Sequence, residues 1–220
     1  KQDCSNPSLQ SYSDKRFPRI VVLESGKRIG ASIMRSGNGR CNFTNVNTDV
    51  TCFSGENPDF VYGALSAFNV ARTMGFFEKL GIVPKVEDMG KVFPMSDQAS
   101  SILDVLLYEL NHRGVKIVCN AFVKNIKRNK GKFIIVLEDS RSFKADRIIL
   151  ACGGKALPSS GSDGSGYELA RGFGHTIVDI FPALVQVKLE GNFFKQIDGV
   201  KFVGSCEVIS ENKTIAKDKG

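Results

Sequence analysis

The run Ile20, Val21, Val22, Leu23 is apolar at every position rather than at every second one, and it stops at Glu24. A strand with one wet face alternates, whereas a strand covered on both faces does not. An unbroken aliphatic run closed by an acid and a turn at Gly26 therefore reads as a buried parallel strand of an α/β fold. A second run of this kind, "RIILA", is followed by "CGG" at residues 152–154. The expectation is that Glu24 and Gly153 close neighbouring or nearly neighbouring strands of one parallel sheet.

Between these runs the period changes. Residues 57–81 place apolar side chains at helical spacing, with glycines near both breaks. "KVEDMGKVFPMS" reads as a short hairpin. Residues 97–114 form a clearer helix, capped by Asp97 or Ser100, with Ile102, Leu103, Leu106, Leu107 and Leu110 on its apolar face and Gly114 as its stop. The piece from Ala121 to Phe143 alternates as a small antiparallel meander, and "DGSGYELARGFGH" is a further helix. Residues 1–19 are polar and irregular. From Phe181 the sequence changes to strands of a second, mostly antiparallel unit and ends in a charged turn. The domain reading is an irregular segment over 1–19, an α/β domain over 20–180, and the start of a mostly β domain over 181–220.

Composition narrows the chemistry. The six cysteines contain no C-x-x-C pair and the two histidines are far apart, so no zinc site is expected. Scattered cysteines without a framework imply six free thiols, a reduced compartment and a cytoplasmic protein. No apolar run approaches the roughly 20 residues of a membrane span. The net charge of +7 is not gathered into a basic-aromatic stripe, so it reads as affinity for anionic ligands, with no nucleic-acid partner expected. The sequence assigns no oligomeric state.

Three segments carry candidate chemistry. The loop "RSGNGRCNFTN" is too polar for a core and too rich in glycine for a surface helix. In it Ser36, Gly37, Asn38 and Gly39 offer backbone amides to a ligand lying against the chain. Arg40 offers a fixed charge for a phosphate or a reduced anionic ring, and Asn42, Thr44 and Asn45 can hold the loop's shape. Cys41 reads either as a nucleophile beside a positive charge or, the favoured reading, as a small packed residue. Glu24 can accept hydrogen bonds from the ribose hydroxyls of a dinucleotide; taken alone, it is more simply an exposed strand-end charge. Gly153 and Gly154 allow either a close approach to a cofactor or merely a turn, and "GSDGSG" at 161–166 can present amides to an anion.

The stretch "VVLESGKRIGASIMRSGNGRCNFTN" resembles the motif region of the HI0933-like NAD(P)/FAD-dependent oxidoreductase (flavoprotein) family, whose members include bile-acid-type dehydro-steroid reductases. It matches that pattern at Glu24, Gly30, Ser36, Gly37, Gly39, Arg40, Cys41, Asn42, Thr44 and Asn45. "ACGGKALPSSGSDGSGYELARGFGH" resembles the family's second motif, and "FPALVQVKLEG" the start of its inserted domain. The resemblance covers most of residues 20–190. It implies an α/β fold: an FAD/NAD(P)-binding Rossmann-like three-layer domain with a β-meander, plus the start of an inserted mostly-β domain. It implies FAD held by Glu24, Gly30, Ser36, Gly37, Asn38, Gly39, Arg40, Cys41, Asn42, Gly153 and Gly154, with the backbone of Val123 against adenine. NAD(P)H would be the reductant and an unsaturated or steroid-like small molecule the substrate; no catalytic acid or base is implied.

The sequence departs from the family in one respect. The family carries a G-x-G-x-x-G pyrophosphate turn about 20 residues before the strand-end acid, and residues 1–19 contain no glycine. The family's closing segment would follow residue 220. The expectation is a fragment that binds FAD weakly. The alternative is a cofactor-free flavoprotein-like remnant acting as a binding or assembly module, and a third reading is an anion- or nucleotide-binding protein without redox chemistry.

Overall fold

The computed structural model describes residues 19–182, 188, 190–191, 193–200 and 204–219. The chain divides into two compact units, the first running to Asp179 and the second starting at Ile180.

In the first unit, β1 (Val21–Leu23) pairs in parallel with β5 (Lys116–Val118), Val22 lying opposite Ile117. The Glu24 amide extends the ladder by donating to the Val118 carbonyl at 2.9 Å. Two parallel strands need a long crossover, and helix α4 (Ala99–His112) is the last element before the return strand. Ahead of it lie α1 (Ala31–Arg35), α2 (Val61–Ala67) and α3 (Val70–Lys79), together with an antiparallel sheet of order β2-β4-β3. Those strands are β2 (Thr44–Asn45), β3 (Pro84–Val86) and β4 (Lys91–Pro94). After β5 comes the meander: β6 (Val123–Asn129), β7 (Lys132–Leu137) and β8 (Ser142–Ala145), each antiparallel to the next. Helix α5 (Ser165–Arg171) closes the unit.

Two cores hold these elements. One gathers Cys41, Ile82, Ala99 and Ile102, with Phe43 and Phe77 against them at a ring separation of 4.8 Å. The other gathers Ala121, Ile135 and Leu137, with Leu23, Val123 and Ile148 packed on it. Helix α1 lies close to α4 because residue 30 is glycine. It sits at φ 84°, and a Cβ there would collide with the Leu103 side chain.

Three sequence expectations need correction. Residues 147–150 form no strand, and the described sheet partner of β1 is β5. Ile148 buries against the meander core while Ile149 is 90% exposed. The run is therefore not buried as a whole: Leu150 is also 43% exposed, and among the described residues no strand pairs with it. The single helix over 57–81 is two helices broken at Phe68 and Asn69. The break follows from Asn69, whose side chain accepts from the Arg72 amide at 3.0 Å and so starts a new helix; Gly63 and Gly75 lie inside the helices. Finally, α4 is capped by neither Asp97 nor Ser100: its N-cap is Gln98 and Ser100 lies within the helix. Asp97 is in the left-handed region at φ 53° with its carboxylate committed elsewhere. Gly114 does end the helix, at φ 66°.

In the second unit, β9 (Ser205–Ser210) and β10 (Lys213–Lys219) form an antiparallel hairpin. Its turn residues Glu211 and Asn212 have φ of 50° and 60°, the pattern of a turn matched to strand twist. The segment "FPALVQVKLEG" lies largely outside the described residues, as do residues 1–18.

Candidate functional site

The glycine-rich loop follows α1 directly. Residues Ser36–Gly39 make one 3-10 turn in which Gly37, Asn38 and Gly39 have φ of 55°, 56° and 82°, and Cys41 follows at 62°. The Cys41 amide returns to the Ser36 carbonyl at 2.9 Å and closes the curl. The Arg40 amide likewise donates to the Gly37 carbonyl at 3.2 Å, so two of the loop's amides are spent inside the curl. Gly37 is also a close approach: a Cβ there would stand 2.7 Å from the Asn42 nitrogen and 2.9 Å from Phe93 Cε1. The loop is tied to the antiparallel sheet behind it. The Asn42 side-chain amide, oriented to donate, reaches the carbonyls of Thr44 at 2.8 Å and Val92 at 3.2 Å. Asn45 Nδ2 donates to the Met89 carbonyl at 2.9 Å.

Arg40 does not stand free for a ligand. Its guanidinium lies over the Phe93 ring at 3.9 Å. Its Nη1 donates to both oxygens of Glu87 at 3.0 Å and to Asp97 Oδ1 at 3.4 Å. Lys85 bridges the same two acids, at 2.9 Å to Glu87 and 2.7 Å to Asp97. Hydrogen bonds from Lys85 and Arg40 hold both carboxyls below their ordinary range, and Lys85 is pushed up by Asp97 and Glu87 in return. Two cations and two anions cancel, so the charge that the sequence suggests for a phosphate is neutralised inside the protein. Cys41 is 5% exposed in the first core, and burial pushes its thiol pKa up. It is a free, packed thiol, and Cys4 lies outside the described residues.

The turn after Glu24 and the segment leading into Val123 meet at a second place. The turn after β1 is stitched to the start of the meander, with the Ala121 amide donating to the Glu24 carbonyl at 2.9 Å and the Asn120 amide to the Gly26 carbonyl at 3.0 Å. Glu24 Oε1 accepts from the Gly26 amide at 2.7 Å. Beside this corner is an open cleft of about 280 Å³ lined by Ser25, Asn120, Phe122, Glu138 and Asp139. Arg141 braces its wall, binding Asp139 at 2.7 Å and the Asn120 carbonyl at 2.6 Å. Val123 begins β6, an edge strand of the meander, with a register irregularity just after it. Sequence reading missed the cleft because its lining comes from three separate turns.

Gly153 and Gly154 precede a tight segment closed by a bridge between Leu157 and Ser162. A Cβ on Gly154 would stand 2.8 Å from the Tyr167 hydroxyl oxygen, so this glycine serves packing against α5. Two of the amides expected of "GSDGSG" are already served: Gly161 donates to the Pro158 carbonyl at 3.0 Å, and Ser165 to the Asp163 carboxylate at 2.9 Å, which holds that acid's pKa low.

The residues present fit the adenosine half of an FAD. The cleft next to the strand-end acid Glu24 offers an aromatic ring, Phe122, the side-chain amide of Asn120 and the carboxylates of Glu138 and Asp139, groups that suit a base and neutral ribose hydroxyls rather than a phosphate. Among the described residues no group of three or more His, Cys, Asp or Glu could hold a metal ion. No described helix is long and apolar enough to cross a membrane.

Comparison with known proteins follows the same line. Residues 10–212 match the family described as HI0933-like protein Rossmann domain. The chain is 42% identical over 202 residues to a 3-dehydro-bile acid delta(4,6)-reductase of Clostridium scindens, covering 92% of this chain and 49% of that protein. It is 27% identical over 201 residues to a ribosomal RNA dihydrouridine synthase of Escherichia coli, covering 91% and 50%. It is 30% identical over 169 residues to a ribosomal RNA dihydrouridine synthase of Haemophilus influenzae, covering 76% and 42%. The chain spans about half the length of the curated relatives it matches.

Proposed function

From the premise that this chain belongs to the HI0933-like protein family, with its Rossmann-like α/β fold, we propose that it is part of an FAD-dependent oxidoreductase that reduces a carbon–carbon double bond conjugated to a carbonyl. The relatives' names support this reaction class. A 3-dehydro bile acid with delta(4,6) unsaturation is a conjugated ketone, and dihydrouridine is uridine with the double bond of its uracil ring, conjugated to a carbonyl, reduced. The observation that carries the reading is the match over residues 10–212, which takes in Glu24, the loop 36–42, Val123 and Gly153. Bound flavin supplies hydride chemistry for such a reduction.

The chain's own residues bind and orient. Glu24 accepts the ribose hydroxyls, Phe122 and the backbone at Val123 receive the adenine, and the curled backbone of 36–42 lies along the middle of the cofactor. Arg40 shapes that backbone. NAD(P)H serves as reductant and a small unsaturated, steroid-like ketone as substrate, in the cytoplasm. The test uses the protein that contains this chain, purified and incubated with FAD. The expected result is a flavin absorbance that survives desalting, bleaches with NADH or NADPH, and returns on adding a 3-oxo-4-ene steroid. A protein that emerges colourless overturns the reading.

One observation favours a second substrate, uracil in RNA. The β6–β7 hairpin exposes Lys124, Lys127, Arg128 and Lys130, and no carboxylate among the described residues pairs with them. Such a cluster suits a phosphate backbone. Recovery of the bleached flavin by unmodified ribosomal RNA, and not by the steroid, would select this substrate.

A further inference from the structure

Arg40 in a glycine-rich loop would ordinarily be assigned to a phosphate. Its surroundings assign it otherwise. Both acids that hold it come from outside the loop: Glu87 directly after β3, and Asp97 between β4 and α4. Lys85 and Glu87 are two positions apart at the end of one strand and so face the same way. Lys85 reaches across to Asp97 and fixes the spacing of the two carboxylates. Asp97 keeps a left-handed φ of 53°, uncommon for a residue with a Cβ, while its amide bonds to the Pro94 carbonyl at 2.9 Å. Below the guanidinium, Phe93 is 2% exposed and also stops any side chain at position 37. The loop therefore has a floor, Phe93, which lies under both Gly37 and Arg40, and a lateral tie, the acid pair, which acts through Arg40.

We propose that Glu87, Asp97 and Lys85 are positioning residues: an ion-pair clamp that grips Arg40 and so sets the curl of backbone 36–42 that faces the cofactor. The proposal rests on the flavin reading above for what the loop faces, but not for the clamp itself. Its side chains are between 27% and 40% exposed. Pairs that exposed contribute little to global stability. The clamp's effect is therefore local: it selects one loop conformation from several of similar energy, and its loss loosens the loop without unfolding the domain.

The experiment compares wild type with Glu87→Gln, Asp97→Asn and the double variant. It reads amide hydrogen exchange of a peptide spanning 36–45 against one spanning 132–145, the thermal midpoint, and FAD affinity by flavin fluorescence. In the double variant the loop amides are expected to exchange several-fold and at most about thirtyfold faster, the most that the two exposed ion pairs on Arg40 supply. The meander peptide and the thermal midpoint stay close to wild type, and FAD affinity falls by a similar factor. Raising the salt concentration loosens the wild-type loop, because exposed charges are screened, and adds nothing in the double variant. Unchanged loop exchange in the double variant, exchange that quickens equally in the meander, or a salt-insensitive wild-type loop overturns the proposal. So does a loosened loop with undiminished FAD affinity. Failure of wild type to bind FAD overturns the flavin reading instead, and the exchange and salt measurements then decide the clamp alone.

Discussion

Replacing Gly37 by alanine separates two costs that usually arrive together. The first is conformational: an L-residue forced to a φ of 55° loses about 1–2 kcal/mol. The second is steric. The new Cβ would stand 2.7 Å from the Asn42 nitrogen and 2.9 Å from Phe93 Cε1, and neither can move freely. Asn42 is backbone held through its own side chain, and Phe93 is 2% exposed. Overpacking of this kind costs about 1–3 kcal/mol. The sum, roughly 2–5 kcal/mol, is a large share of the ~5–15 kcal/mol that holds a domain together. Gly39 supplies the control. It also has positive φ, 82°, but the nearest atom to its added Cβ is the Met34 carbonyl oxygen at 3.9 Å, so Gly39→Ala carries only the first cost. Urea unfolding of both variants at unchanged slope should place Gly37→Ala below Gly39→Ala by about 1–3 kcal/mol. Equal losses would refute the argument that Phe93 and Asn42 form a rigid floor under the loop.

Three further outcomes follow from the same geometry. Cys41→Ser puts a hydroxyl into the apolar core of Ile82, Ala99 and Ile102 and should cost about 1–3 kcal/mol; in wild type a thiol reagent should modify the exposed Cys52 well before Cys41. Glu24→Ala should weaken FAD binding by about tenfold or more, since a charged acceptor is lost, and leave exchange of the 36–45 amides unchanged. Glu87 and Asp97 have folded pKa values below their ordinary ones, so their contribution is present at neutral pH and is lost as pH falls through those lowered values. Protection of the loop amides, taken relative to their intrinsic exchange rate at each pH, should therefore fall on acidification below about pH 4 while that of the meander holds, and a loop whose protection is indifferent to that change would refute the assignment.

What was legible in the sequence was local. Helix α4 and the meander announce themselves through 3.6- and 2-residue periods that each segment carries within itself, and the α/β class follows from the aliphatic run before Glu24. The curl at 36–41 was legible as an unusual stretch because only residues tolerant of left-handed backbone could fill it. The second aliphatic run misled because only Ile148 of it packs against the meander, while Ile149 and Leu150 stay exposed without a strand partner among the described residues. The helix break at Asn69 had a local signal, an N-cap residue, that the stronger apolar period concealed.

The role of Arg40 was illegible for a different reason. Its acids lie 47 and 57 residues further along the chain, and nothing near Arg40 in sequence hints at them. A cation among glycines looks like a phosphate anchor when no local acid is in view. The hairpin of β3 and β4 then brings two acids within 3.0–3.4 Å and a second cation to bridge them. Once the side chain is neutralised there, a ligand phosphate would have to displace a carboxylate to use it. That exchange gains one ion pair and breaks another, which leaves little net attraction. A substitution at Glu87 or Asp97 should therefore act on cofactor binding through the backbone that Arg40 holds in shape, although neither residue needs to touch the cofactor.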